Sequence, residues 1–198
     1  MPSTLTAATV AQAVKNETTF LHQEVEQLLL PRLNAIQSLE DYAAILQSFH
    51  GYYLPVEQAI QQHISPAILP DIEKRRNAMM VVNDLRFLGM KADQNFCNEL
   101  PQISNSAQAF GALYVLEGST LGGKMIAKML AKNKAVCIPT GALKFFNGYK
   151  EETGKMWTAF LKVLNQQTDV DTIVESANQT FFHLKKWMQQ GLYYESKN

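Results

Sequence analysis

The stretch Phe110–Leu130 constrains this chain most, because it has the apolar spacing of one long helix and three glycines in its middle. Leu113, Leu116, Leu121, Met125, Ile126, Met129 and Leu130 recur at roughly helical intervals. Gly118, Gly122 and Gly123 interrupt them, each at a cost of about 1 kcal/mol relative to Ala. Gly118 and Gly122 lie one turn apart and leave a groove of bare backbone along one face. Two readings account for such a groove: a tight helix crossing, or the close approach of a flat object to the main chain.

The rest of the chain is also helical in its periodicity. A first amphipathic helix spans about Leu5 to Leu29, carrying Val10, Val14, Leu21, Val25 and Leu28, and Pro31 is expected to end it. Ser38 with Glu40 and Asp41 announces a second helix that runs to Ile60, with a kink expected at Gly51 and Pro55. Residues 65–70 read as a connector, and a third helix covers Asp71 to Leu88, stopped by Gly89. The stretch 89–104 reads as loop or short helix. The glycine-bearing helix then covers Ser106 to Lys132, and Lys124, Lys128, Lys132 and Lys134 at its end suit the helix dipole. A short helix over Leu143–Tyr149, another over Glu151–Gln166 and a last one capped by Asp169 or Asp171 complete the chain. No stretch shows strand alternation or repeats, so the expectation is an all-α fold with residues 1–198 as a single domain.

Composition narrows the chemistry. Lys+Arg and Asp+Glu are equal at 18 each, which disfavours nucleic acid or an acidic membrane as the main partner. Cys97 and Cys137 lack metal-type spacing and suit reduced thiols in the cytoplasm. No signal peptide and no transmembrane span are expected. Phosphate loops, paired-cysteine zinc sites, His-Glu-x-x-His and the Glu-x-x-His pairs of di-metal bundles are all missing.

Among the four histidines, His22 stands out because Glu26 follows it by one helical turn. A carboxylate on one ring nitrogen fixes the tautomer and makes the other a better metal ligand, although such pairs are commonly just surface pairs. His50, His63 and His183 have no comparable carboxylate or sit at helix ends and edges. One ligand and one bare groove together suggest a porphyrin-type iron with an open position.

Four stretches, in order along the chain, resemble the biliverdin-producing heme oxygenases, particularly the bacterial branch. They are Lys15–Glu26 (KNETTFLHQEVE), Phe49–Glu57 (FHGYYLPVE), Leu113–Gly123 (LYVLEGSTLGG) and Ala177–Trp187 (ANQTFFHLKKW). The resemblance implies a helical fold with heme between the first helix and a kinked glycine helix. It implies His22 as the iron ligand and Glu26 as the partner of that histidine. Gly118 and Gly122 would lie against the distal face, with Gly123 also among the heme-contacting positions. Lys15 and Tyr114 would meet the propionates, and Trp157 and Phe181 would line the pocket, although ordinary aromatic core explains those two equally well. The implied reaction cleaves heme, cofactor and substrate at once, to biliverdin with release of carbon monoxide and iron. It needs dioxygen and an external electron donor of reductase, ferredoxin or flavodoxin type.

One position departs from the mammalian pattern. A carboxylate follows the first distal glycine there; here the residue is Ser119, as in the bacterial branch. Glu117 is no substitute, since it points about 200° from Ser119 around the helix axis. Ser119 is thus a candidate catalytic residue, with the proton-delivery network unassigned. Two alternatives remain open: a heme-binding or heme-trafficking protein that does not cleave the ring, and a same-fold enzyme with another small-molecule substrate.

Overall fold

The structure is a computed structural model that describes residues 8–195, with side chains through Gln190. Among the described residues the regular elements are all helical: α1 Val10–Asn34, α2 Leu39–Gln61, α3 Met79–Phe87, α4 Ser106–Leu130, α5 Lys144–Asn147, α6 Thr153–Leu164 and α7 Val170–Glu195, with three short 3-10 turns. The expected start at Leu5 lies outside the described residues. None of the helices is long and apolar enough to cross a membrane.

Local chemistry explains the boundaries. Thr9 caps α1 by accepting from the Gln12 N–H at 3.2 Å. Ser38 and Asp41 form a reciprocal capping box at the start of α2, with bonds of 3.0 and 2.9 Å. Asn105 caps α4 by accepting from the Gln108 N–H at 2.9 Å, and the Asp169 side chain accepts from Thr172 N–H at the head of α7. Gly89, with φ of 77°, follows α3 as expected. Helix α2 runs unbroken through Gly51 and Pro55.

Two sequence expectations are corrected. Helix α1 does not end before Pro31 but continues to Asn34. The missing proline N–H removes a single bond in the last turn, and the continuation buries Leu33 and Ile36 to 1% exposure. The third helix is also not continuous from Asp71. A 3-10 turn at Ile72–Lys74 is followed by a non-helical segment before α3 begins at Met79. That break holds Arg75 and Arg76, buried to 4% and 7% exposure, and an uninterrupted helix would not place both guanidinium groups as the structure does.

Helix α7 backs the site. Both α1 and α4 pack extensively on it. The α4–α7 approach is close at Gly111, where a Cβ would stand 2.3 Å from the Ile173 carbonyl oxygen. Since α1 and α4 rest on a common support more than on each other, a cleft opens between them. Its floor is an aromatic cluster in which Phe49, Tyr53, Phe145 and Phe146 meet edge-on or tilted at 5.3–5.6 Å. Asp84 fixes that floor by accepting from the Lys144 and Phe145 N–H groups at 3.1 and 2.8 Å.

Candidate functional site

The α1–α4 cleft has a volume of about 560 Å³. Its first wall is α1, which contributes Lys15, Thr18, Thr19, His22, Val25, Glu26 and Leu29. Mid-helix residues Leu21, Val25 and Leu28, expected in the core from their spacing, are only half-buried. The cleft therefore interrupts the apolar face of α1 at the level of His22. The opposite wall is α4 with Tyr114, Gly118, Ser119 and Gly122, while Trp157 of α6 and Phe181 of α7 complete the sides.

His22 and Glu26 are about half exposed, at 52% and 57%, with Nδ1 and Oε2 3.7 Å apart. The His22 ring meets Phe181 edge-on at 5.6 Å and 84°. Tyr114 stacks in a tilted contact on Trp157 at 5.4 Å, and burial pushes its hydroxyl pKa up. Nine of the ten residues singled out in the sequence thus surround one cleft: Lys15, His22, Glu26, Tyr114, Gly118, Ser119, Gly122, Trp157 and Phe181.

Gly123 is the exception and a correction. It does not line the cleft; a Cβ there would stand 2.4 Å from the Phe146 carbonyl oxygen. Gly122, its neighbour, would place a Cβ in space with no atom within 4 Å, and Gly118 would meet only Trp157 at an ordinary 3.6 Å. The glycines of this helix therefore differ in what surrounds them. Gly123 permits a close crossing with α5, and Gly122 keeps the cleft wall bare.

Arg76 and Tyr53, which meet Ser119, were not among the residues singled out from the sequence. The Arg76 Nη2 donates to the Leu116 carbonyl at 2.5 Å and to Ser119 Oγ at 2.6 Å. Tyr53 O–H donates to Ser119 Oγ at 3.1 Å, and Ser119 donates to Leu116 O at 2.7 Å. The guanidinium lies 4.5 Å from the Phe145 ring centroid and lines the cleft. It was hidden because the spacing of Asp71–Leu88 predicts a continuous helix where the structure has a break before α3. Close by, Glu57 accepts from the Ala78 N–H at 2.8 Å, and its pKa is pushed up to about 7, mainly by burial.

A second hollow of about 570 Å³ lies elsewhere, bounded by His50, Leu54, Arg86, Met90 and Phe96 among others, and shares no lining residue with the cleft. His50 is 3% exposed, with its Nδ1 buried and without a hydrogen-bond partner. No carboxylate lines that hollow and no bare helix wall faces it, so the α1–α4 cleft is the stronger site.

Among the described residues no group of three or more His, Cys, Asp or Glu could hold a metal ion by itself. A porphyrin brings four nitrogens of its own, so one protein imidazole suffices. The bare wall at Gly122, opposite an accessible His22 in a cleft with aromatic sides, fits such a flat group.

Comparison with known proteins agrees with this geometry. The heme oxygenase family model matches residues 8–190. A heme oxygenase of Xanthomonas campestris pv. campestris is 31% identical over 128 residues, spanning 65% of this chain and 74% of the relative. The fold is similar to that of NO- and CO-bound heme oxygenase from Neisseria meningitidis, with TM-score 0.78 and 23% identity over 94% of each chain. It is also similar to heme oxygenase from Leptospira interrogans, with TM-score 0.68 and 15% identity over 92% of this chain and 100% of that one. With a family match across nearly all of its length, the chain belongs to the heme oxygenase family.

Proposed function

We propose that the α1–α4 cleft is where this heme oxygenase holds and cleaves its heme, with residues 1–198 acting as one domain. The observation that carries this reading is that His22 and the bare backbone at Gly122 line the same cleft of about 560 Å³. Family membership makes the chain an enzyme that opens the heme ring to biliverdin, releasing carbon monoxide and iron. When bound, heme supplies both the iron at which dioxygen is activated and the ring that is cleaved.

The residues divide the work. The His22 imidazole ligates iron, and Glu26 biases the ring through its Nδ1 side. Lys15 and Tyr114 would meet the propionates, and Trp157 and Phe181 would line the pocket on either side of the ring. Gly118 and Gly122 leave room for a diatomic molecule beside the helix. Ser119 cannot replace the missing carboxylate, because its one donor and two acceptor positions are taken by Leu116 O, Arg76 and Tyr53. Arg76 takes over the polar role at this wall. Its Nη2 makes the two bonds above, and its other N–H groups would order water in the cleft.

Electrons come from a separate donor of reductase, ferredoxin or flavodoxin type, and dioxygen is the co-substrate. The two free cysteines, Cys97 and Cys137, suit a reducing cytoplasmic setting. Purified protein mixed with hemin should develop a Soret band, and reductant with oxygen should convert it to a bilin band with carbon monoxide released. Stable hemin binding without bilin under several donors would instead establish a heme carrier. Failure to bind hemin would remove the cleft assignment.

A further inference from the structure

We propose that Glu117 and Tyr149, which stand behind the glycine wall and line no part of the cleft, are positioning residues that hold the Arg76 guanidinium at the cleft surface. Arg76 belongs to the non-helical segment between the Ile72–Lys74 turn and α3, where Arg75 is extended at φ −77° and ψ 151°. Its backbone N–H donates to the Tyr149 hydroxyl at 2.7 Å, and Tyr149 donates in turn to Glu117 Oε1 at 2.8 Å. Burial pushes the Tyr149 hydroxyl pKa well up, so it remains a donor at any working pH.

The other Glu117 oxygen, Oε2, accepts from Arg75, which also forks onto Asp71 with bonds of 3.0 and 2.9 Å. Glu117 is 2% exposed and Arg75 is 4% exposed. Helix α4 therefore grips this segment on two sides. Leu116 and Ser119 take the Arg76 side chain on the cleft side, while Glu117 takes Arg75 and, through Tyr149, the Arg76 backbone behind it. A guanidinium on a long, freely rotating stem is pre-organised only if its backbone is fixed, and no helical hydrogen bond fixes this one.

The inference rests on Arg76 serving the cleft wall, so the deciding readout is taken on heme-free protein. The Arg76 side-chain 15N–1H resonance is identified by its loss in Arg76→Leu. Tyr149→Phe keeps the ring volume and removes only the hydroxyl. We expect its Arg76 resonance to move toward the solvent-exposed position and to exchange with water about tenfold faster. Hemin affinity should stay within about twofold while turnover falls about tenfold. Adding Tyr149→Phe to Arg76→Leu should cost no further turnover. Glu117→Leu, which removes both the charge facing Arg75 and the acceptor of the Tyr149 hydroxyl, should release Arg76 in the same way and serves if Tyr149→Phe folds poorly. An Arg76 resonance unchanged in both variants, with only a lowered melting temperature, would overturn the proposal, as would additive turnover losses in the double variant. Wild-type turnover in Arg76→Leu would overturn the use of Arg76 at the wall, and the resonance would then decide the positioning alone.

Discussion

On the α1 side of the cleft, His22 and Glu26 are about half exposed, at 52% and 57%, and stand 3.7 Å apart. On the α4 side, Arg76 and Glu117 are 7% and 2% exposed, and both belong to a buried web of hydrogen bonds. The first wall is a solvent-facing helix whose proposed iron ligand, His22, is about half exposed. The second is backbone and buried polar contacts, which must be in place before anything binds. A substitution on α1 should therefore change function with little effect on folding. One on the α4 side should affect either or both, depending on which way the residue faces.

The largest effect is expected from His22→Ala. Turnover should fall by two or more orders of magnitude, a loss of roughly 3 kcal/mol or more of transition-state stabilisation. The heme-free melting temperature should change by no more than about 2 °C, since the imidazole is half exposed. Added imidazole should restore part of the activity by filling the hole. A large drop in the heme-free melting temperature would break the contrast between the walls.

Within α4, neighbouring glycines should respond in opposite ways. Gly122→Leu meets open space, so the heme-free protein should fold and melt at the same or a slightly higher temperature, while bilin formation collapses. Gly123→Ala must displace the Phe146 carbonyl and should cost about 1–3 kcal/mol of stability. Paired circular-dichroism melts and single-turnover assays decide this. An unfolded Gly122→Leu protein would mean that packing, not the cleft, explains both glycines.

That contrast also shows where sequence reading stops. The glycine pattern showed that α4 was unusual, and its one-turn spacing marked the Gly118/Gly122 face. That spacing set Gly123 on another face, but nothing in the pattern could say what Gly123 meets, because its neighbour is the Phe146 carbonyl, distant in sequence. Ser38 and Asp169 are local signals and were legible as helix caps. Pro31 was misleading, because burial of Leu33 and Ile36 outweighs one lost hydrogen bond. Arg76 was illegible, since Asp71–Leu88 has helical spacing and the break in it is held by Glu117 and Tyr149 from other parts of the chain. His22 and Glu26 were legible because their relation is local, one turn along one helix.

The α4 side should also show a pH signature in the heme-free protein. Glu57, beside Arg76, has its pKa raised from 4.5 to about 7, chiefly by burial, with the Ala78 N–H and Arg76 pulling it down less strongly. Between pH 4.5 and about 7 the folded chain holds a proton that the unfolded chain has released. Stability therefore falls as pH rises through that window, by roughly 2–3 kcal/mol. Glu57→Gln should flatten the slope above pH 6, leaving below it the contribution of Asp84, raised to about 6 with the same sign. Denaturant midpoints from pH 5 to 8 measure this, and an unchanged slope in Glu57→Gln would remove Glu57 as its source.

Smaller effects should follow at Ser119 and Glu26. Ser119→Ala leaves Arg76 with its Leu116 bond, so single-turnover bilin formation should slow only a few-fold, about 1 kcal/mol or less. A variant that binds oxygen but makes no bilin would instead give Ser119 the role of the absent carboxylate. Glu26→Gln should slow turnover by less than about tenfold, because the carboxylate is half exposed and 3.7 Å from the imidazole.

The most direct test of the α1–α4 cleft as the heme site is an optical hemin titration of His22→Ala beside His50→Ala. The two histidines lie at the two hollows of nearly equal volume, about 560 and 570 Å³. We expect His50→Ala to bind hemin with the wild-type spectrum and His22→Ala to lose the histidine-ligated spectrum, regaining it in part with added imidazole. A normal spectrum in His22→Ala together with its loss in His50→Ala would contradict the assignment.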